Sequence, residues 1–197
     1  MRDAKAAMIM LHGRGASAED ILLLANEFDR ADFAYVAPQA AGRTWYPYSF
    51  LQPLELNEPH LSSALRVITE TIELLNAAGL PAERIMLLGF SQGACLALEY
   101  GARNARRYGG IVGLSGGLIG PEGTPRNYPG SLAGTPVFLG CSDVDMHIPK
   151  ARVLHTAEML HQLEGEVTLR LYPGMGHTVN EDELGFVRGM MAALAEM

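Results

Sequence analysis

Positive charge is what this chain of 197 residues is short of: 15 lysines and arginines stand against 22 aspartates and glutamates, a formal net charge of −7. Nucleic acid and anionic membrane surfaces both demand a basic footprint, so neither is expected as a main partner. The one basic cluster, Arg103, Arg106 and Arg107, falls near the end of a predicted helix, where cations face the negative end of the helix dipole. Cysteine is scarcer still. Cys95 and Cys141 lie in apolar surroundings on different predicted elements, without a disulfide framework or metal–thiolate spacing, which favours a reducing compartment. No apolar run approaches the roughly 18 residues of a membrane-spanning helix, so stable membrane association is not expected. The apolar stretch in the opening MRDAKAAMIMLHG is too brief for a signal peptide and stops at His-Gly. It reads as a strand, and the expected location is cytoplasmic. Internal repeats and low-complexity tracts are missing as well.

What is there is ordinary globular composition, 48% hydrophobic and 19% charged, in a length that suits a single domain over 1–197 with no separate large cap. Short apolar runs alternate with helical periodicities, as a parallel sheet covered by helices requires. Strands are expected at 6–11, 33–37, 84–89, 110–115, 136–140 and 167–172. Most are unbroken apolar runs, which places helices on both faces of a mostly parallel α/β sheet of about six or seven strands. The last run alternates more, which puts it nearer the sheet edge. Ser17, with Asp20 three residues on, is expected to cap a first helix. A longer helix over about 60–78 carries Leu61, Leu65, Ile68, Ile72 and Leu75 on one stripe, with His60 at its start. Further helices are expected from Gly93, from Pro149 to Glu164, and from about Asn180, where Glu181, Asp182 and Glu183 suit the positive end.

Two stretches fit neither period. Residues 38–59 hold Trp45, Tyr46, Tyr48 and Phe50 among four prolines, and loops this long in a compact domain are usually functional or disordered. The aromatics argue against disorder, so this loop is expected to form part of a pocket, with Trp45, Tyr46 and His12 as candidate pocket residues. Residues 116–135, rich in glycine and proline, read equally well as a surface excursion.

The chemistry starts at Gly89-Phe90-Ser91-Gln92-Gly93, a Gly-x-Ser-x-Gly between a strand-like and a helix-like run. In such a turn the glycines give the clearance that lets a serine oxygen stand above the sheet, and the following helix aims free N–H groups at the same spot. Serine needs a base, and the base needs an orienting acid. The strand PVFLG is followed by CSDVDMHIP, offering Asp143 and Asp145; the strand VTLRLY is followed by PGMGHTV, offering His177. The order Ser, Asp, His holds, with each member in a loop after a strand, where an open parallel sheet keeps its active site. The loop LHGRGAS after the first strand nominates the Arg14 backbone amide, with that of Gln92, for an oxyanion hole. Cys95, a turn into the helix, is expected to be packed rather than nucleophilic. His155 and His161 are off one another's face, and Asp143, Asp145 and His147 lack the further ligands of a metal site, so no metal is expected.

LHGRGASAEDIL, GFSQGACLAL, LGCSDVDMHIP and PGMGHTV together resemble the phospholipase/carboxylesterase family of small α/β-hydrolases, which includes the acyl-protein thioesterases, from about residue 6 to the C-terminus. The resemblance implies the α/β-hydrolase fold, a Ser91–Asp–His177 triad, an oxyanion hole from the Arg14 and Gln92 amides, and cofactor-free hydrolysis of carboxylic esters or thioesters. Better-known members resemble His-Gly-Leu-Gly-Asp where this chain has Arg14 and Ala16. A charged side chain at the pocket mouth, with the different aromatic segment TWYPYSF, leads to an expectation of small or short acyl groups. The acid loop is two residues longer than in those members; aligned on Pro149 the acid is Asp145, aligned on Gly140 it is Asp143, and Asp145 is preferred. The partner is then a small-molecule ester, with monomer and homodimer both open. The rivals are a non-catalytic binding module on the same scaffold, and a lactone, amide or ring-opening hydrolase with the same triad.

Overall fold

The computed structural model describes residues 4–196; the charged opening at 1–3, part of the leader reading above, lies outside them. Six strands form one sheet: β1 (Ala6–Leu11), β2 (Phe33–Val36), β3 (Ile85–Phe90), β4 (Gly110–Leu114), β5 (Pro136–Ser142) and β6 (Glu166–Tyr172). They lie in the order β2-β1-β3-β4-β5-β6, every neighbouring pair parallel. Five helices connect or follow them: α1 (Ala18–Phe28), α2 (His60–Ala77), α3 (Gln92–Arg103), α4 (Lys150–Gln162) and α5 (Glu181–Glu196).

Successive strand side chains point to opposite faces, and both faces are apolar. Ala7, Ile9, Leu11, Ile85, Leu87, Ile111 and Leu139 pack with α2, α3 and α4; Ala6, Met8, Met10, Met86, Leu88, Val112 and Phe138 pack with α1 and α5. That two-sided burial is why the strands read as unbroken hydrophobic runs. The alternating last run, β6, does lie at a sheet edge, with its residues only half-buried.

Local chemistry sets the element ends. The Ser17 hydroxyl accepts the Asp20 N–H while the Asp20 carboxylate accepts the Ser17 N–H, so α1 starts on a reciprocal capping box. The α5 start repeats the device with Asn180 and Glu183. All three acids of the run lie in the first turn as expected, but Glu183 is fully buried while Glu181 and Asp182 are exposed. Of the basic cluster, Arg103 alone lies in the last turn of α3, paired with Glu99; Arg106 stacks over Tyr108 and Arg107 donates to the Ala133 and Gly134 carbonyls. The chain leaves β1 for the edge strand β2 and returns across it to β3. The carboxyl ends of β1 and β3 therefore flank the point where the winding reverses, the place such sheets keep for ligands.

Candidate active site

At the end of β3 the chain turns into α3 through a single residue. Ser91 has φ 54° and ψ −118°, a positive φ that side-chain-bearing residues seldom adopt. The flanking glycines are what make this turn feasible. A Cβ on Gly89 would lie 2.2 Å from the Gly93 carbonyl carbon, and one on Gly93 would lie 2.0 Å from the Leu11 carbonyl oxygen. The Ser91 N–H is tied to the Leu114 carbonyl at 3.0 Å, and its carbonyl accepts from Cys95 in the first turn of α3. The hydroxyl is thereby held at the mouth of a cavity of about 520 Å³, within the range of ordinary small-molecule sites.

His177 stands opposite, in the loop between β6 and α5. Its Nε2 is 2.9 Å from Ser91 Oγ and its Nδ1 is 2.7 Å from Asp145 Oδ2. A carboxylate can only accept, so Nδ1 donates and Nε2 is left to accept the Ser91 O–H. Asp145 is buried, and its other oxygen accepts the His147 and Ile148 amides at 2.8 and 3.0 Å. Burial opposes its ionisation, yet the hydrogen bonds from His177, His147 and Ile148 outweigh it and hold the carboxyl below its ordinary value. Asp143 is occupied elsewhere: its carboxylate accepts the Gly174 N–H at 2.9 Å, while Ser142 Oγ accepts the Gly176 N–H. Together these bonds stitch the loop after β5 to the loop that carries His177. N–H donors thus engage both Asp145 oxygens and one of Asp143.

The loop after β1 runs along the other side of the cavity. Arg14 lines it, and among the described residues neither the Arg14 nor the Gln92 N–H has a hydrogen-bond partner. For Gln92 this follows from its place as the first residue of α3, where no preceding turn offers a carbonyl.

The side chains of these two residues do work the sequence reading did not assign them. Gln92 Oε1 accepts the Trp45 N–H at 2.9 Å and its Nε2 donates to the Tyr46 carbonyl at 2.8 Å. The Arg14 guanidinium donates to the carbonyls of Tyr46, Pro47 and Tyr48. These carbonyls fix the guanidinium in place without neutralising it, so an exposed positive charge stays on the cavity lining, as the short-chain expectation assumed. A glutamine in Gly-x-Ser-x-Gly carries no signal of this, because its partners are 46 and 47 residues away.

The expected pocket residues divide. Tyr46 lines the cavity, with Phe50 and Phe90. Trp45 and His12 do not; both are buried behind its wall. Trp45 Nε1 donates to the His12 carbonyl at 2.9 Å, and the His12 ring donates to the Gly13 carbonyl through Nδ1 and accepts the Ala40 N–H through Nε2. Backbone groups satisfy both rings, so they brace the loop from behind the cavity lining. His147, which the sequence reading weighed only as a metal ligand, lines the cavity and sets its ring edgewise on His177 at 4.8 Å. Cys95 is packed as expected, and burial pushes its thiol up to about 12. The Cys141 thiol, likewise pushed up to about 12 by burial and the Asp145 charge, lies 3.8 Å from that carboxylate.

A family model described as phospholipase/carboxylesterase matches residues 1–194. Acyl-protein thioesterase 1 of Candida albicans is 30% identical over 212 aligned residues, covering 93% of this chain and 90% of that protein. Its counterpart in Saccharomyces cerevisiae is 27% identical over 206, covering 93% and 90%. Among solved structures, a phospholipase/carboxylesterase from Dyadobacter fermentans matches with a TM-score of 0.92 and 44% identity, over 97% of this chain and 91% of that one.

Proposed function

The chain belongs to the phospholipase/carboxylesterase family and is an ester-bond hydrolase, and on that premise we propose that it cleaves small carboxylic esters through an acyl-enzyme on Ser91. Ser91 Oγ attacks the acyl carbonyl as its proton passes to His177 Nε2, and Asp145 holds the imidazole in the tautomer this requires and stabilises the imidazolium. The amides of Arg14 and Gln92 take the charge that develops on the carbonyl oxygen, a contribution of about 2.7–4 kcal/mol for each such donor. His177 then gives its proton to the departing alcohol. Water, deprotonated in turn by His177, releases the acid and restores Ser91. No step calls on a cofactor.

The observation that carries the reading is the unbroken hydrogen-bond chain from Ser91 through His177 to Asp145, opening on a cavity beside two unpartnered amides. A binding module would be expected to have lost one of these members. Thioesters enter because relatives bear the name acyl-protein thioesterase, and the same nucleophile and oxyanion amides serve them. Small acyl groups are favoured by the aromatic wall of Tyr46 and Phe50, whose Trp45–Tyr48 segment Gln92 and Arg14 pin by five hydrogen bonds to its backbone.

A fluorophosphonate should label the native protein and not Ser91→Ala, and Ser91→Ala should lose turnover of 4-nitrophenyl acetate while its circular dichroism and Tm stay native. Turnover retained in that variant overturns the assignment. Across 4-nitrophenyl esters from acetate to palmitate, kcat/KM is expected to peak among the short chains; a maximum at the long end refutes the small-acyl reading.

A further inference from the structure

Beside the catalytic cavity lies a second, of about 510 Å³, between the 116–135 loop and the start of α4. Phe50 and Ile148 line the first, and their chain neighbours Leu51 and Pro149 line the second, so one wall serves both. The second cavity is lined by Arg126, Arg152 and His155, with the exposed Glu122 as the acidic group on its lining.

The charges behind that lining do not balance. Glu99, in the middle of α3, is 1% exposed and meets two guanidiniums, Arg103 at 2.7 Å and Arg126 at 3.3 Å. It accepts the Ile119 amide and the Tyr128 hydroxyl besides, so its acceptor capacity is used up. Arg152 has no carboxylate partner among the described residues; its donors go to the Leu118 and Gly120 carbonyls, which are dipoles and not charges. Burial, and after it the charge of Arg126, push the Arg152 guanidinium below its ordinary value. Glu99 thus pairs with Arg103 and Arg126 and leaves Arg152 without a carboxylate in contact. Buried charge of one sign calls for a counter-charge.

Donors are in surplus too. The Arg126 side chain is 6% exposed, yet its Nε has no hydrogen-bond partner among the described residues. Buried N–H groups are nearly always satisfied in folded proteins, and an unpaired charged donor is costly. The first amides of α4, Lys150 and Ala151, have no partner among the described residues either, and Pro149, as N-cap, supplies no side-chain oxygen. A helix N-terminus with two guanidiniums and an imidazole beside it has the donor set of an oxyanion site.

We propose that this second cavity is an anion subsite, which takes a carboxylate or phosphate group of the substrate while the scissile carbonyl stands over Ser91. The inference rests on Ser91 being the nucleophile and adds the substrate class: small esters that carry a negative charge remote from the ester bond. The shared wall at Phe50–Leu51 and Ile148–Pro149 lets one molecule span both cavities, and the Arg152 guanidinium, 5.9 Å from the Phe50 ring, stands at that wall.

The test compares charged esters with neutral counterparts at fixed ionic strength. Mono-4-nitrophenyl esters of succinate, glutarate and adipate, against the same compounds methyl-capped, place the charge on the acyl side. Acetyl esters of 4-hydroxybenzoate and of 4-hydroxyphenyl phosphate, against phenyl acetate, place it on the alcohol side and separate carboxylate from phosphate. At least one charged substrate is expected to exceed its neutral counterpart in kcat/KM by about tenfold or more, chiefly through KM. That ratio is expected to collapse toward one in Arg126→Gln and in His155→Glu, whose exposed side chain can be changed without touching the buried network. Ratios of one or less throughout, or a preference that survives both substitutions, overturn the proposal. Calorimetric titration of glutarate and of inorganic phosphate into Ser91→Ala protein reads the subsite apart from chemistry. Binding there, weakened by His155→Glu, with no ester turned over by the native protein would sink the Ser91 reading and keep the subsite. Turnover of neutral esters without charge preference or anion binding does the reverse.

Discussion

Gly93 shows how little room the Ser91 turn has. A side chain there would strike the carbonyl oxygens of Leu11 and His12, the last residues before the loop that carries Arg14. The positive φ of Ser91 and the position of the Arg14 amide, the nucleophile and oxyanion donor of the proposed mechanism, are therefore fixed by the same close approach of β1 and α3. At this scale the choice between the two acids of the longer loop also has a physical answer. Asp145 Oδ2 meets His177, and Asp143 meets a backbone amide of the neighbouring loop. Asp145→Asn is expected to lower kcat by about 10⁴, because an amide that donates to Nδ1 leaves the wrong nitrogen protonated. Asp143→Asn keeps an acceptor for Gly174 and should leave stability within about 0.5 kcal/mol and turnover near native. Steady-state kinetics of the pair distinguish the roles, and the reverse ranking would make Asp143 the acid. That Ser91 and His177 would meet was legible from motif and order alone. Asp145 over Asp143 was legible only as a preference, since two residues of loop length cannot be placed without knowing which end of the loop is anchored.

Among the elements, α5 holds an unusual residue at its start. Glu183 closes the capping box with one oxygen, while the other is buried without a partner against Gly140 of β5. Burial pushes its carboxyl up to about 7, with the Asn180 hydrogen bond opposing and the Asp182 charge adding to the rise. Between its ordinary 4.5 and about 7 the folded protein holds a proton that the unfolded chain has released. The stability this confers is complete below the lower value and lost as pH rises through the upper one. Glu183→Gln keeps the cap acceptor without the charge, so it should raise Tm by several degrees at pH 8, up to about 3 kcal/mol, with the gain shrinking toward pH 5. Scanning calorimetry of both proteins across that range checks this; a gain independent of pH would rule out ionisation as its cause. The run Glu181-Asp182-Glu183 told of a helix start, but not which acid turns inward, since helical phase against the sheet depends on how α5 docks. The aromatic loop makes the same point. Its ring-rich composition announced a packed wall, whereas the lock formed by the Gln92 amide and the Arg14 guanidinium joins segments some 30 to 47 residues apart.

For the whole molecule, the single-domain reading rests on one six-stranded sheet with two continuous apolar layers among the described residues. We expect one calorimetric transition with equal van't Hoff and calorimetric enthalpies, as for other chains with one core. Two resolved transitions would contradict the single-domain reading. The sequence by itself determined the element order, the parallel sheet, the serine turn and the histidine loop. Each is written in local signals: unbroken apolar runs, glycine pairs, caps and motif order. Only the tertiary structure decided which aspartate meets His177, which rings line the cavity and which merely brace it, and that Arg126 and Arg152 converge on the neighbouring cavity while Glu99 pairs with Arg103 and Arg126 alone. Those outcomes depend on contacts between residues far apart in the chain, and local pattern carries no record of distance once the sheet has folded them together.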